Sequence, residues 1–178
     1  RDFAGYGLST TQRLSRTEEG LEILTRCFAG KRFTFEGKRY QARDVEIKPS
    51  YVQPGGPPLW VAASSPEGAK RAARFNAHLL PQGPYETTIQ VWIDELRSTG
   101  RSPRDYRVGI IKPVFVTENR DRDWPKIRAA ERFRMEYYTQ AFKAAGRDAP
   151  PDQDKERISQ NWVVGDVDYC VSELTDFI

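Results

Sequence analysis

The residues best suited to chemistry lie in one short run, Ala63-Ser64-Ser65-Pro66-Glu67-Gly68, where an apolar stretch meets the start of a helix. Small hydroxyl side chains beside a glycine and the amino end of a helix form an anion cradle. Free N–H groups at Glu67, Gly68 and Ala69 point out of the helix, whose dipole adds roughly half a positive charge there, and Gly68 lets an anion approach the backbone. The Ser64 and Ser65 hydroxyls could complete a phosphate-binding set. The same residues also read as an ordinary helix start, with Ser65 as cap and Pro66 at the first helical position. Glu67 would repel a phosphate unless its side chain points outward.

Other candidates are thinner. Arg13 and Arg16, beside Glu18 and Glu19, could clamp a phosphate through a guanidinium or could form surface ion pairs along one helix. Gln82, after a second short apolar run, could hydrogen-bond a planar ligand at the same strand ends or cap its own loop. His78 is the single histidine, with no H-x-x-x-H or H-E-x-x-H spacing, so a structural role is expected and no metal site. Cys27 and Cys170 lack C-x-x-C spacing and read as reduced, buried thiols of a cytoplasmic protein. The dinucleotide, nucleotide and hydrolase signatures G-x-G-x-x-G, G-x-x-x-x-G-K-[ST] and G-x-S-x-G are absent. No side chain reads as a general base, so no catalytic residue is assigned. The hard chemistry then falls to a cofactor or to side chains outside these residues.

The elements that must position these groups follow from periodicity. Leu14, Leu21, Leu24, Cys27 and Phe28 predict a helix over 12–29, capped within Ser9–Thr11 and ended by Gly30. Residues 32–35 and 39–42 flank Gly37 as a hairpin, an excursion spanning about 31–48. The Pro- and Gly-rich stretch 49–58 feeds a buried strand, Leu59–Ala63, and then the helix opened by Ser65. His78–Pro81 is a second strand, followed by a helix striped by Ile89, Trp92, Ile93 and Leu96 and ended by Gly100. Tyr106–Val116 is read as a third strand containing Lys112. Asp121 or Asp123 caps a long helix with Trp124, Ile127, Ala130, Tyr138 and Phe142 along one side, ended by Gly146. A polar loop over 147–155 and a helix capped by Asp166 complete the chain. Alternating strands and helices argue a parallel sheet covered by helices. The helix at each end lacks a strand in this reading.

The 178 residues form a single domain in this reading, yet a complete eight-stranded α/β barrel takes about 250 residues. The first residues, without a start Met, suggest a chain that begins mid-protein. No apolar run approaches the ~20 residues of a membrane span. With 28 Lys and Arg against 25 Asp and Glu, alternating in sign, nucleic-acid binding is disfavoured.

Several stretches, in order, carry a resemblance. These are Arg1-Asp2-Phe3 with Tyr6-Gly7, Arg13 to Leu24, Phe33 to Tyr40, and, most sharply, Pro57-Pro58-Leu59-Trp60-Val61-Ala62-Ala63-Ser64-Ser65-Pro66-Glu67-Gly68-Ala69 with Ala72-Ala73. Val164-Gly165-Asp166 follows late in the chain. Together they resemble the bacterial-luciferase-like flavin-dependent monooxygenases. The resemblance implies the central to C-terminal part of a (β/α)8 barrel, lacking the first strands and the last strand. It implies reduced FMN supplied by a separate flavin reductase, O2 and a small organic substrate, in a homodimer or heterodimer. Ser64, Ser65 and Gly68 would hold the flavin phosphate, Ala62 and Ala63 would line the ring or ribityl side, Gln82 would approach the ring, and Arg13 would assist. His78 does not match the family's catalytic histidine, and a fragment on its own is expected to have little activity. Related members use a deazaflavin for hydride transfer. The other readings are a phosphate-binding barrel lyase or isomerase built on Lys112, and a non-catalytic barrel subunit.

Overall fold

A computed structural model describes residues 2–82, 85–144, 146 and 162–177. The elements in chain order are α1 (Asp2–Gly5), α2 (Arg13–Phe28), β1 (Phe33–Glu36), β2 (Gln41–Val45), β3 (Trp60–Ala63), α3 (Pro66–Arg74), β4 (His78–Pro81), α4 (Tyr85–Ser98), β5 (Val114–Val116), α5 (Arg120–Ala144), β6 (Val163–Gly165) and α6 (Val167–Phe177). They fall into two compact units, Arg1–Ile110 and Ile111–Ile178.

In the first unit the Ser9 hydroxyl accepts from the Thr11 amide, starting a 3-10 turn, Thr10–Gln12, that runs into α2. Gly30, at φ +66°, turns the chain out of the helix. β1 and β2 pair antiparallel as the expected hairpin, with Phe35 opposite Ala42 and Glu36 opposite Gln41. β3 and β4 pair in parallel, Trp60 beside His78 through Ala63 beside Pro81. Val61, Ala63 and Leu79 point to one side, where Ala69, Ala72 and Ala73 of α3 and Trp92 and Leu96 of α4 complete the core with Leu21. The alanines let α3 lie close to the strands, and Trp92 Nε1 donates to the Ala77 carbonyl at 3.3 Å.

Leu59–Ala63 is not buried on both faces as the sequence suggests. Its burial alternates, with Trp60 38% exposed and Ala62 also exposed, because helices cover only one side of this strand pair. The expected third strand, 106–116, is divided. Val108 bridges Leu79, whose amide donates to the Arg107 carbonyl at 3.0 Å, whereas Val114–Val116 belongs to the second unit. The break follows Gly109, whose amide still donates to the Leu79 carbonyl at 2.9 Å; Pro113 has no N–H to continue the ladder, and Lys112 lies in the irregular stretch between the two segments.

In the second unit β5 and β6 are parallel, with Val114 beside Val163 and Val116 beside Gly165. The final helix therefore does have a strand before it, β6, contrary to expectation. Asp166 caps α6 by accepting from the Tyr169 amide at 2.8 Å. α5 is capped by Asn119, whose Oδ1 accepts from the Arg122 amide at 2.8 Å, and not by Asp121 or Asp123. Its buried stripe is Asp123, Ile127 and Glu131 in place of the aromatic stripe, and Tyr138 is 46% exposed. Glu131 is neutralised by Arg134 one turn on. The sheets are three two-stranded pairs, and no closed barrel forms among the described residues. No helix among them is long and apolar enough to cross a membrane. The expected loop 147–155 lies outside the described residues.

Candidate functional site

The carboxyl ends of β3 and β4 bring most of the predicted site residues together. Beyond the last strand residues the Gln82 amide donates to the Ala63 carbonyl at 2.7 Å, so pairing continues one step and sets Gln82 beside the chain leaving β3 through Ser64 and Ser65. This is where ligands sit in parallel α/β structures.

Ser65 holds an extended backbone, φ −142° and ψ 159°, and its Oγ accepts from the Gly68 amide at 3.2 Å. Its carbonyl accepts from the Ala69 amide at 3.0 Å. Two of the three expected free amides are thus satisfied by Ser65, and only Glu67 of the three remains without an acceptor among the described residues. The Ser65 hydroxyl acts as acceptor in its cap, which leaves its O–H free to donate outward.

Gly68 is buried, and a Cβ there would meet Ala63 Cβ at 3.1 Å. The glycine serves the close packing of α3 on β3 and does not open the backbone to an anion. Ala63 is likewise 3% exposed and faces the helix, whereas Ala62 is exposed on the opposite face. The two alanines cannot both present side chains to one ligand.

The donors left at this corner are the Ser64 and Ser65 hydroxyls, the Glu67 amide and the Gln82 side-chain amide, at the positive end of a nine-residue helix. Glu67 is exposed. This neutral donor set suits the oxygens of a phosphate or the polar rim of a heterocycle.

Arg13 is exposed at the first residue of α2, and its guanidinium makes no hydrogen bond or ion pair, to this corner or elsewhere, among the described residues. Arg16 donates to Gln12 Oε1 at 3.2 and 3.1 Å and stacks over Tyr40. The carboxylates reach away from these arginines. Glu18 accepts from Arg71 and Arg74 of α3, and Glu19 reaches into the hairpin turn.

His78 is held structurally. Its Nδ1 accepts from the Arg107 amide at 3.1 Å, and its ring lies 4.7 Å from that of Trp60. Burial, helped by the Arg107 charge, pushes its pKa below the usual histidine value. Cys27 and Cys170 are free thiols, the first half-buried and the second buried.

The second unit holds a feature the sequence reading missed. At the ends of β5 and β6 an open hollow of about 810 Å³ is lined by Thr117, Glu118, Asn119, Arg122, Asp123 and Asp168, among others. The Asp123 carboxylate accepts from Thr117 Oγ1 at 2.6 Å, Arg122 Nη2 at 2.7 Å and Lys126 Nζ at 2.9 Å. Hydrogen bonds from Arg122 first, then Thr117 and Lys126, hold it well below the usual carboxylate range. So fully engaged a carboxylate fastens α5 to the end of β5 and is not available as a base. The available signal was Asp123 four residues after Asn119, the spacing that places it one turn inside a helix capped by the asparagine.

Comparison with known proteins bears on both units. The model of the luciferase-like monooxygenase family matches residues 1–178. An F420-dependent glucose-6-phosphate dehydrogenase of Mycolicibacterium gilvum is 23% identical over 94% of this chain and 52% of its own length. A monooxygenase structure from Streptomyces bottropensis superposes with a TM-score of 0.74 at 22% identity, over 99% of this chain and 54% of that one. An F420-dependent secondary alcohol dehydrogenase in complex with an F420-acetone adduct gives 0.67 at 18% identity, over 95% and 54%. The oxygenating constituent of the 3,6-diketocamphane monooxygenase of Pseudomonas putida, in complex with FMN, gives 0.58 at 18% identity, over 87% and 50%. The chain spans about half the length of these proteins. With its model matched from the first residue to the last, the chain belongs to the luciferase-like monooxygenase family.

Proposed function

We propose that the chain is part of a flavin-type oxidoreductase and supplies the phosphate end of its cofactor site. The observation that carries this reading is the meeting of Ser64, Ser65, the Glu67 amide and Gln82 at the joined ends of β3 and β4. Ser64 and Ser65 would donate hydroxyl hydrogen bonds to phosphate oxygens. The Glu67 amide and the α3 dipole would add favourable charge, and Gln82 would bond the polar edge of the ring. Ala62 would leave room on the open face, while Ala63 and Gly68 would support the turn from behind. Arg13, exposed and with its guanidinium unpartnered among the described residues, would assist through that group.

The cofactor in the first reading is reduced FMN, delivered by a separate reductase, which activates O2 to oxygenate a small organic molecule. The F420-dependent dehydrogenase relatives favour a second reading, in which a deazaflavin exchanges hydride with the substrate and no such reductase is needed. In both, this chain's residues hold and orient the cofactor.

The test is titration of the full-length polypeptide with FMN and with F420, comparing wild type with Ser65→Asp and Ser65→Ala. An aspartate preserves the helix cap but places a negative charge on the phosphate position, so affinity should fall by at least about tenfold while the melting midpoint holds. Alanine removes the cap as well, at about 1 kcal/mol. Whichever cofactor binds identifies the chemistry. Undiminished affinity in Ser65→Asp would remove Ser65 from the site.

A further inference from the structure

Two adjacent carboxylates on α2 face different partners. Glu18 accepts from Arg71 Nε at 2.6 Å and Arg74 Nη2 at 2.9 Å, both on α3, and the Arg71 side chain is only 13% exposed. Glu19 enters the turn between β1 and β2. Its Oε1 accepts from the Lys38 amide at 3.1 Å, and its Oε2 accepts from the Arg39 amide at 2.7 Å and the Tyr40 amide at 3.0 Å. Three consecutive amides converging on one anion form a nest, filled here by a side chain of the neighbouring helix.

Further contacts align the hairpin along α2, one turn before Glu19 and two turns after it. Arg39 Nε donates to Ser15 Oγ at 2.9 Å, the Arg16 guanidinium lies 5.4 Å over the Tyr40 ring, and Arg26 donates to the Thr34 carbonyl at 3.1 Å while stacking 5.3 Å over Phe35. Gly37 belongs to the same arrangement, since a Cβ there would run into Glu19 Oε2 and the Phe35 ring. At its far end α2 also holds the segment leading into β3, with the Phe28 and Tyr51 rings edge to face at 5.4 Å.

We propose that the β1–β2 hairpin is a strap latched to α2 by Glu19, and that α2 transmits the state of the latch to α3 through Glu18. Without the carboxylate the three turn amides lose their common acceptor, and of the remaining contacts only the Phe35 ring beneath Arg26 is buried. A strap released from α2 frees that helix to shift, and the shift falls on the Glu18 pairs, one of whose cations is largely shielded from water. Coupling of this kind acts in both directions, so anything that orders α3 also favours the closed strap. The importance of α3 rests on the cofactor reading given above; the latch itself does not.

The experiment is amide hydrogen exchange of the intact protein at residues 38–40 and at Gly68 and Ala69. Glu19→Gln and Gly37→Ala attack the latch from its two sides, so misfolding of one variant leaves the other to decide. Each should raise exchange at 38–40 by at least about tenfold and raise it in the same direction at Gly68 and Ala69. In a Glu18→Gln background, Glu19→Gln should still open the turn but should no longer change Gly68 and Ala69. Full protection at 38–40 in both single variants overturns the latch. An open turn with unchanged exchange at Gly68 and Ala69 overturns the transmission. No cofactor enters this measurement, so its failure and that of the cofactor reading are separable.

Discussion

Ser65 and Asp123 are both short polar side chains near a helix start, and the structure gives them different tasks. The Ser65 hydroxyl accepts one amide and keeps its O–H free to donate; Asp123 accepts from three side chains and is fully engaged. The second arrangement predicts an acid-dependent stability. The folded-state pKa of Asp123 is depressed, so its contribution is complete above the unfolded value of about 3.9 and is lost as pH falls toward the folded one. Asp123→Asn should therefore lower the melting midpoint at neutral pH, and wild type and variant should converge as the pH is taken below about 3. An equal gap at both pH values would mean that shape, not charge, holds this corner. The Ser65 cap was legible in the sequence because Ser-Pro-Glu is a local signal. The roles of Gly68 and Asp123 were not. Close packing of Gly68 on Ala63 is a tertiary fact, and Asn119, Asp121 and Asp123 are equally good caps until the end of β5 decides where the chain turns.

Among the elements, periodicity located α2 to α6 and the hairpin but not α1, β6 or the break in the stretch from Tyr106 to Val116. A run of apolar residues interrupted by one glycine and one proline reads as a single strand, and only pairing partners reveal two segments. Gly109, the last paired residue before the break, is a glycine for a packing reason. A Cβ at this position would lie 2.8 Å from Leu80 Cδ2 and 3.1 Å from Trp60 Cζ3, so glycine lets the tryptophan ring lie across the neighbouring backbone. Gly109→Val should overpack the face, costing about 1–3 kcal/mol in a urea titration and altering tryptophan emission. Unchanged stability would show that Trp60 has room to move aside. α5 taught the complementary lesson. Its buried stripe includes Asp123 and Glu131, which hydropathy places on the surface and only their partners, Arg122, Lys126 and Arg134, make tolerable in contact with the rest of the unit.

For the whole molecule the informative feature is the uncovered face of β3 and β4. Most of the strand–helix order is encoded locally and was legible, β6 and the division of the 106–116 stretch excepted, but closure of a barrel depends on strands far apart in sequence, and the chain spans about half the length of its relatives. Trp60, Ala62, His78 and Leu80 project from the side opposite α3 and α4, and Trp60 is 38% exposed. In a closed barrel inward-pointing side chains pack in layers and exclude water. A polypeptide of the relatives' full length should therefore bury this face, with Trp60, its ring tilted 55° against that of His78, contributing to the interior. Acrylamide quenching tests this, with Trp60→Phe used to subtract the other tryptophans. A quenchable Trp60 component should be present in the 178-residue chain and disappear in the longer polypeptide. Equal quenching in both would mean that this face stays open to solvent, and the corner formed by Ser64, Ser65 and Gln82 would then have to bind its ligand without the water-excluding wall that a flavin-type reaction requires.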